Sequence, residues 1–333
     1  MRSKLAPVSI GLGVFLIVAA ALVRFYAYPV LANVPPDYKG TTKLEAKGAE
    51  IFNSNPDVLK SETWDLDITS FTIADSGVKL PSDAPDDTVV WVNSTSVDRV
   101  GGEQFQRTQE RSPFDGKTGE AVDCTKCGSW EEVALASDFQ KTERVDVTRK
   151  GLVYKFPFAT EKKDYPVWDG TLEKSTPAKF EGQEEIDGLK VYKFVQTIPE
   201  TMVETRSVPG KVFGSTEPNV EAEMWYQMTR TFYVEPTTGS PVNRVENRVQ
   251  ELRYDGVAVP AFTGTVQYTK AQVDDLVSDA KGNARLLGGM KLLFPGLLLL
   301  LGLGLTAGGV LLGRSGKGGD NGASHRDKAM AGV

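Results

Sequence analysis

The sequence predicts a membrane-anchored, mostly β protein, in which an N-terminal and a C-terminal transmembrane helix flank a β-rich extracytoplasmic domain with few short helices. Three observations predict this class. Residues 5–23 and 292–312 carry no charge. Basic residues lie on the terminal side of both stretches. Between the two stretches, alternating apolar residues recur through an acidic region, which is typical of half-buried strands.

Each uncharged stretch is long enough to cross a bilayer. At about 1.5 Å per residue, the second reaches about 31 Å, close to the thickness of the hydrocarbon core. For the first stretch the alternative is a cleaved signal peptide, which the small-residue pattern before Asn33 fits. Arg24 and the bulky Phe25 and Tyr26 occupy the place where a cleavage region is usually small and neutral, so we expect the helix to be retained.

The flanking charges predict the orientation. Arg2 and Lys4 precede the first helix, and Arg314 and Lys317 follow the second, so both termini are expected in the cytoplasm. We expect four segments: 1–32 with a cytoplasmic stub and a transmembrane helix at about 5–23, the extracytoplasmic domain 33–290, a transmembrane helix 291–313, and a disordered cytoplasmic tail 314–333.

The region between the helices is acidic. Residues 33–291 hold 42 of the 44 acidic and 31 of the 38 basic residues, a net charge of −11. Such a domain is repelled by phosphate backbones, so we expect no nucleic-acid partner.

Strands are predicted from several apolar patterns. The alternation from Trp64 to Ile73 slips by one residue near Phe71, which predicts a β-bulge. Residues 154–158 alternate as well, whereas 89–97 are rich in β-branched residues, and 189–198 carry apolar residues on both faces, as a buried strand would. A further strand is predicted at 257–268. A hairpin is predicted at 231–242, because Pro236 and Gly239 suit the beginning and the end of a turn.

Two helices are predicted inside the domain. The first runs from Ser129 to Phe139, with a capping box of Ser129 and Glu132. The second begins at Thr269, has Gln272 three residues later, and is expected to stop near Gly282.

The histidine count limits the chemistry. The single histidine, His325, lies in the predicted tail. A Ser-His-Asp or Cys-His set needs a histidine beside its nucleophile, and histidine-based zinc sites need one too. We therefore expect no enzyme, no metal site and no cofactor, although Ser-Lys or carboxylate-pair catalysis is not excluded by composition.

Cys124 and Cys127 form a CxxC sequence with three interpretations. A redox motif needs the first cysteine at a helix N-terminus, but Gly128 follows and the predicted helix starts only at Ser129. A zinc site lacks a second pair of ligands. The favoured interpretation is a structural disulfide in an oxidising compartment.

The second apolar stretch contains glycines four residues apart, Gly304 with Gly308 and Gly309 with Gly313. Small residues at this spacing let helix backbones approach, so these four are candidate helix-packing residues. The alternative is that glycine is simply frequent in membrane helices.

Several segments of the chain resemble a known family. The matching residues are Tyr154–Phe158, Thr160–Lys163, Tyr165, Trp168-Asp169, Gly182, Glu184, Ile186–Phe194 and the turn Glu235–Gly239. Together with the two bracketing helices, they are similar to the actinobacterial family named porin PorA, over nearly the whole chain. The resemblance implies a cell-envelope protein with no catalytic residues to carry over.

Three functions are open at this point. The first is a non-enzymatic binding or scaffold domain for a hydrophobic or cell-wall ligand, and the second is a component of a homo-oligomeric channel. The third is an envelope enzyme without histidine chemistry, which composition disfavours.

Overall fold

The computed structural model describes residues 2–102, 104–124, 126–135 and 138–315. These residues form two compact units: a helical unit made from the two ends of the chain, up to Leu31 and from Arg285, and a β unit, Ala32–Ala284. The tail expected at 314–333, including His325, lies outside the described residues beyond Ser315.

The helical unit contains two apolar helices that are long enough to span a membrane. Its elements are α1 (Arg2–Leu22), a π-helical turn (Val23–Ala27), α2 (Tyr28–Leu31), the end of α3 (Lys270–Gly288), a second π-helical turn (Gly289–Leu293) and α4 (Phe294–Ser315). Both π-helical turns lie just before a proline, Pro29 or Pro295. Proline lacks the N–H that the carbonyl four residues earlier needs, and a wider turn accommodates that loss.

The described residues of the β unit form one antiparallel sheet of twelve strands. They are β1 (Lys39–Asn53), β2 (Lys60–Ala74), β3 (Thr88–Arg99), β4 (Gln104–Asp115), β5 (Trp130–Leu135), β6 (Asp138–Asp146), β7 (Tyr165–Asp169), β8 (Lys174–Ile186), β9 (Leu189–Pro209), β10 (Asn219–Glu235), β11 (Ser240–Tyr254) and β12 (Val257–Tyr268). The spatial order is 6-5-4-3-2-1-12-11-10-9-8-7, so the first and last strands pair at the centre. Every other strand pairs with its neighbours in sequence.

Isolated bridges connect strand β4 to strand β7 and close the sheet into a ring. Phe114 of β4 bridges Ala121, Glu120 bridges Leu152, and Leu152 bridges Val167 of β7. The Leu152 N–H donates to the carbonyl of Pro166 at 2.8 Å. We call the β unit the barrel, because its hydrogen bonding continues around this ring with the β5–β6 hairpin attached to β4.

The two faces of the barrel sheet differ in burial. The inner face carries the buried Leu66 of β2, Phe194 of β9 and Phe232 of β10. The outer face carries polar residues such as Gln227 and Asn247, which are exposed. Pairing fixes this division, because residues opposite each other on neighbouring strands share a face.

The helix predicted from Ser129 to Phe139 is wrong, because the chain forms the β5–β6 hairpin there. Glu132 lies opposite Arg144, whose Nε is 3.2 Å from its carboxylate. The guanidinium of Arg144 also lies 4.0 Å from the ring centroid of Trp130. These cross-strand contacts outweigh the local capping pattern.

Three smaller expectations differ from the structure. The register of β2 is continuous past Phe71, and the bulge lies in β1 between Ala46 and Ala49. Residues 154–158 form no regular strand, since they belong to the irregular segment after the Leu152 bridge. Helix α3 does not stop near Gly282 but continues to Gly288.

The other predicted elements are confirmed. Strands occur at 89–97 within β3 and at 189–198 within β9, and β12 has the predicted bounds. The hairpin turn has Gly239 at φ +71°, where the carbonyl of Gly239 accepts a 2.9 Å hydrogen bond from Phe156 N. Helix α3 begins after Thr269, whose hydroxyl accepts from Gln272 N at 3.2 Å.

Candidate functional site inside the barrel

The inner face of the barrel holds a cluster of charged and polar side chains between two apolar clusters. One apolar cluster is centred on β1 and β2, and the other on β7 to β10. We call the polar group the inner network, and its members are Asp169, Gln196, Tyr226, Arg230, Arg244, Glu246 and Arg248.

Strand β11 supplies three members at alternate positions, Arg244, Glu246 and Arg248, so that all three point inward. Glu246 lies opposite Arg230 of β10, which in turn lies opposite Gln196 of β9. Directly opposite residues on antiparallel strands bring their Cβ atoms to about 5 Å, so this register builds the centre of the network.

Arg230 connects three neighbours. Its Nε donates to Glu246 at 2.8 Å, and its Nη1 donates to the side-chain oxygen of Gln196 at 2.9 Å. Its Nη2 lies 3.3 Å from a carboxylate oxygen of Asp169 on β7. A planar guanidinium suits this role, because its donors have a fixed fork geometry.

Glu246 meets all three arginines. Nε of Arg244 lies 3.0 Å from one carboxylate oxygen, and Nη2 of Arg248 donates to the other at 3.2 Å. Burial alone raises the pKa of Glu246, but the three guanidiniums outweigh it and hold the pKa well below its usual range. The carboxylate is therefore ionised at every physiological pH.

Tyr226 and Gln196 attach the network to the short strand β7. The Tyr226 hydroxyl donates to Asp169 at 3.1 Å, and burial raises the pKa of this phenol above its ordinary value. The side-chain nitrogen of Gln196 donates to the carbonyl of Val167 at 2.9 Å. Strand β7 closes the ring, so the network also helps to hold that closure.

The inner network has one more positive than negative charge, three arginines against two carboxylates. It offers fixed charges and hydrogen-bond donors and lacks a pair of nucleophile and base. Within the part of the chain that the structure describes, no group of three metal-ligating side chains occurs. The arrangement is suited to electrostatic binding.

The predicted cysteine pair lies elsewhere, in the connection between β4 and β5. The structure joins Cys124 and Cys127 in a disulfide, with Cα atoms 5.5 Å apart. The guanidinium of Arg111 donates to the carbonyl oxygens of Cys127 and Gly128. Strand β5, not a helix, follows the pair, so no helix dipole acts on these cysteines. Their oxidation state in the cell stays a prediction.

The predicted glycines divide into two groups. A Cβ atom on Gly309 would lie 2.9 Å from the carbonyl oxygen of Ala6 in α1, and one on Gly313 would lie 3.8 Å from the Cβ of Ala6. Gly304 and Gly308 have open space around them among the described residues. Gly302 is not one of the four predicted glycines, but a Cβ atom on it would lie 2.7 Å from the carbonyl oxygen of Gly13. Packing of Gly304 and Gly308 against another chain stays a prediction.

Sequence reasoning missed the inner network because β11 reverses the usual pattern. Val245 and Val249 alternate with the charged residues, so the apolar set suggests the buried face. In the barrel the charged set faces inward. The available signal was the sequence Arg-Val-Glu-Asn-Arg at 244–248, in which opposite charges occupy every second position.

The fold and the site together define a β-barrel protein with two apolar terminal helices and a charged barrel interior. The chain belongs to the Porin PorA family, whose profile matches residues 5–311. It is 35% identical over 125 residues to a Porin PorA of Corynebacterium amycolatum, a match covering 30% of this chain and 32% of that protein.

A Porin PorA of Corynebacterium resistens (strain DSM 45100 / JCM 12819 / GTC 2026 / SICGH 158) is 28% identical over 148 residues. That match covers 30% of this chain and 36% of the relative. The chain therefore spans about a third of the length of each of these relatives. The resemblance to the porin PorA family seen in the sequence is confirmed.

Proposed function

We propose that this chain is a non-enzymatic cell-envelope protein, held by two transmembrane helices, whose barrel is an extracytoplasmic binding or scaffold domain. One observation carries the proposal: the outer face of the barrel is polar and exposed, while the inner face is buried. A barrel that spans a membrane needs the opposite arrangement, with an apolar band facing lipid. The barrel is thus suited to water, and the helices are suited to the membrane.

The packing of α1 against α4 supports an arrangement with both termini in the cytoplasm. Ala6 approaches Gly309, whereas Ile17, later in α1, approaches Gly302, earlier in α4. The helices are therefore antiparallel. Antiparallel spans bring both chain ends to one membrane face, and the basic flanks assign that face to the cytoplasm.

Cysteine labelling of intact cells tests this topology. The background is a variant in which Cys124 and Cys127 are serine, with one new cysteine at Lys117 or Lys317. A membrane-impermeant maleimide should label the Lys117→Cys protein and spare the Lys317→Cys protein until the cells are lysed. Labelling of position 317 in intact cells, or protection of position 117, would contradict the proposal.

A second candidate function is a channel component, which the name of the relatives, Porin PorA, favours. In that case we propose that several copies line the pore with their helices. Two helices do not enclose a water-filled path while satisfying their backbones against lipid. A domain of net charge −11 at the mouth should make such a pore cation-selective.

Planar-bilayer recordings of the purified chain separate the two functions. Absence of conductance at every protein density leaves the binding or scaffold function. Cation-selective conductance that increases steeply with protein density supports the channel, whereas anion selectivity contradicts the pore described here.

A further inference from the structure

Two arginines of the inner network have donors that Glu246 does not use. Arg248 donates to Glu246 through Nη2, while its buried Nε has no hydrogen-bond acceptor among the described residues. Arg244 approaches Glu246 through Nε only, at 3.0 Å, and this buried Nε makes no hydrogen bond among the described residues. By contrast, Arg230 directs three nitrogens at three partners.

The same two side chains are partly exposed. Their exposed fractions are 33% for Arg244 and 28% for Arg248, against 11% for Arg230 and 4% for Glu246. Each guanidinium also lies over an aromatic ring, at 5.5 Å from the centroid of Tyr268 and 5.9 Å from that of Phe262. The accessible part of the network is therefore cationic with apolar walls.

The balance of charge indicates what would complete the site. The network has one uncompensated positive charge, and a buried guanidinium N–H without an acceptor is costly. Arginine recognises carboxylate and phosphate groups through paired N–H donors. The region that contains the barrel, residues 33–291, has a net charge of −11. A cationic cluster in the barrel interior therefore differs in sign from the region as a whole.

We propose that Arg244 and Arg248 form an anion-binding site inside the barrel, which takes a carboxylate or phosphate group. This inference rests on the proposed binding function and names the ligand chemistry for it. A lipid head group and a small free anion share this chemistry.

Calorimetric titration of the purified full-length chain in a non-ionic detergent tests the site, with acetate, inorganic phosphate and decanoate as probes. We expect saturable binding of at least one probe. The variants Arg244→Gln and Arg248→Gln should each weaken it at least tenfold. Arg253→Gln is the matched control, because Arg253 lies on the outer face and pairs with Glu200 and Glu251, and it should bind as the parent does.

The probes distinguish the sources of the anion. Decanoate binding that exceeds acetate binding at least tenfold indicates a lipid head group, whereas comparable binding of phosphate and acetate indicates a free anion. Arg248→Lys keeps the positive charge but loses the paired N–H donors of the guanidinium. This variant should bind the probe more weakly than the parent does, even if Arg248→Gln is unstable.

The inference is overturned if no probe binds the parent saturably. It is equally overturned if Arg244→Gln and Arg248→Lys bind as tightly as Arg253→Gln does. Neither result bears on the membrane topology, which the labelling experiment measures separately.

Discussion

Lys155 is a buried lysine close to the bridge that closes the barrel. It follows the Leu152 bridge, is 9% exposed, and has its Nζ 4.0 Å from the ring centroid of Phe158. The Nζ donates a long hydrogen bond of 3.4 Å to the carbonyl of Lys117. Burial lowers the pKa of Lys155 from 10.5 to about 7, and the nearby Asp115 only partly opposes this effect.

The sign of the pH dependence follows from this shift. Between pH 7 and pH 10.5 the folded protein has lost the proton of Lys155, whereas the unfolded chain still holds it. The penalty of the buried ammonium is complete below pH 7 and disappears as the pH rises to 10.5, so stability rises through this window. The difference between the two pKa values corresponds to about 5 kcal/mol of unfolding free energy. About 2 kcal/mol of this stability is recovered between pH 7 and pH 9.

Urea unfolding of the purified chain, followed by tryptophan fluorescence at pH 7, 8 and 9, measures this effect. The free energy of unfolding should rise by about 2 kcal/mol over the range. Lys155→Met keeps the length of the side chain and removes the charge. It should stabilise the protein at pH 7 by roughly 4 kcal/mol and remove most of the rise of the unfolding free energy with pH.

Lys150→Met is the matched control, because Lys150 belongs to the same segment and is exposed. Its pH profile should follow that of the parent. The reasoning fails if the parent shows no rise between pH 7 and pH 9, or if Lys155→Met keeps the full slope.

Three further predictions concern other parts of the chain. Glu246→Gln leaves three arginines without their central carboxylate and should cost roughly 3–5 kcal/mol of stability in urea unfolding. Gly309→Leu should lower the free energy of unfolding of the helical unit in detergent by roughly 1–3 kcal/mol, while Gly308→Leu should not, because of these two glycines Gly309 alone packs against α1 among the described residues. Serine at both Cys124 and Cys127 should leave the barrel folded and cost on the order of 1–2 kcal/mol, since the disulfide closes a very small loop. Complete loss of folded protein, or zinc bound by the parent, would contradict that structural role.

The β content and several strands were predictable, because local runs of apolar residues mark strands such as β9 and β12. Helix α3 was predictable as well, since Thr269 and Gln272 cap it and Val277 and Ala280 are buried at helical spacing. These signals lie within single segments, and neighbouring residues are sufficient to detect them.

The closure of the ring and the inner network were not predictable in this way. Leu152 and Val167 lie in short or irregular segments, and their bridge depends on two distant parts of the chain meeting. Arg244, Glu246 and Arg248 tolerate the interior only because Arg230 and Asp169 arrive from other strands. No local pattern carries that information. The false helix at 129–139 has the same cause, since its strand partners lie outside the predicted segment.

The central pairing of β1 with β12 has a consequence for biosynthesis. Lys43 N donates to Gln272 across a separation of 229 residues, just beyond this pairing. During synthesis, strand β1 therefore keeps an unpaired edge until strand β12 has been made. Contacts of such separation form slowly, and open strand edges promote aggregation.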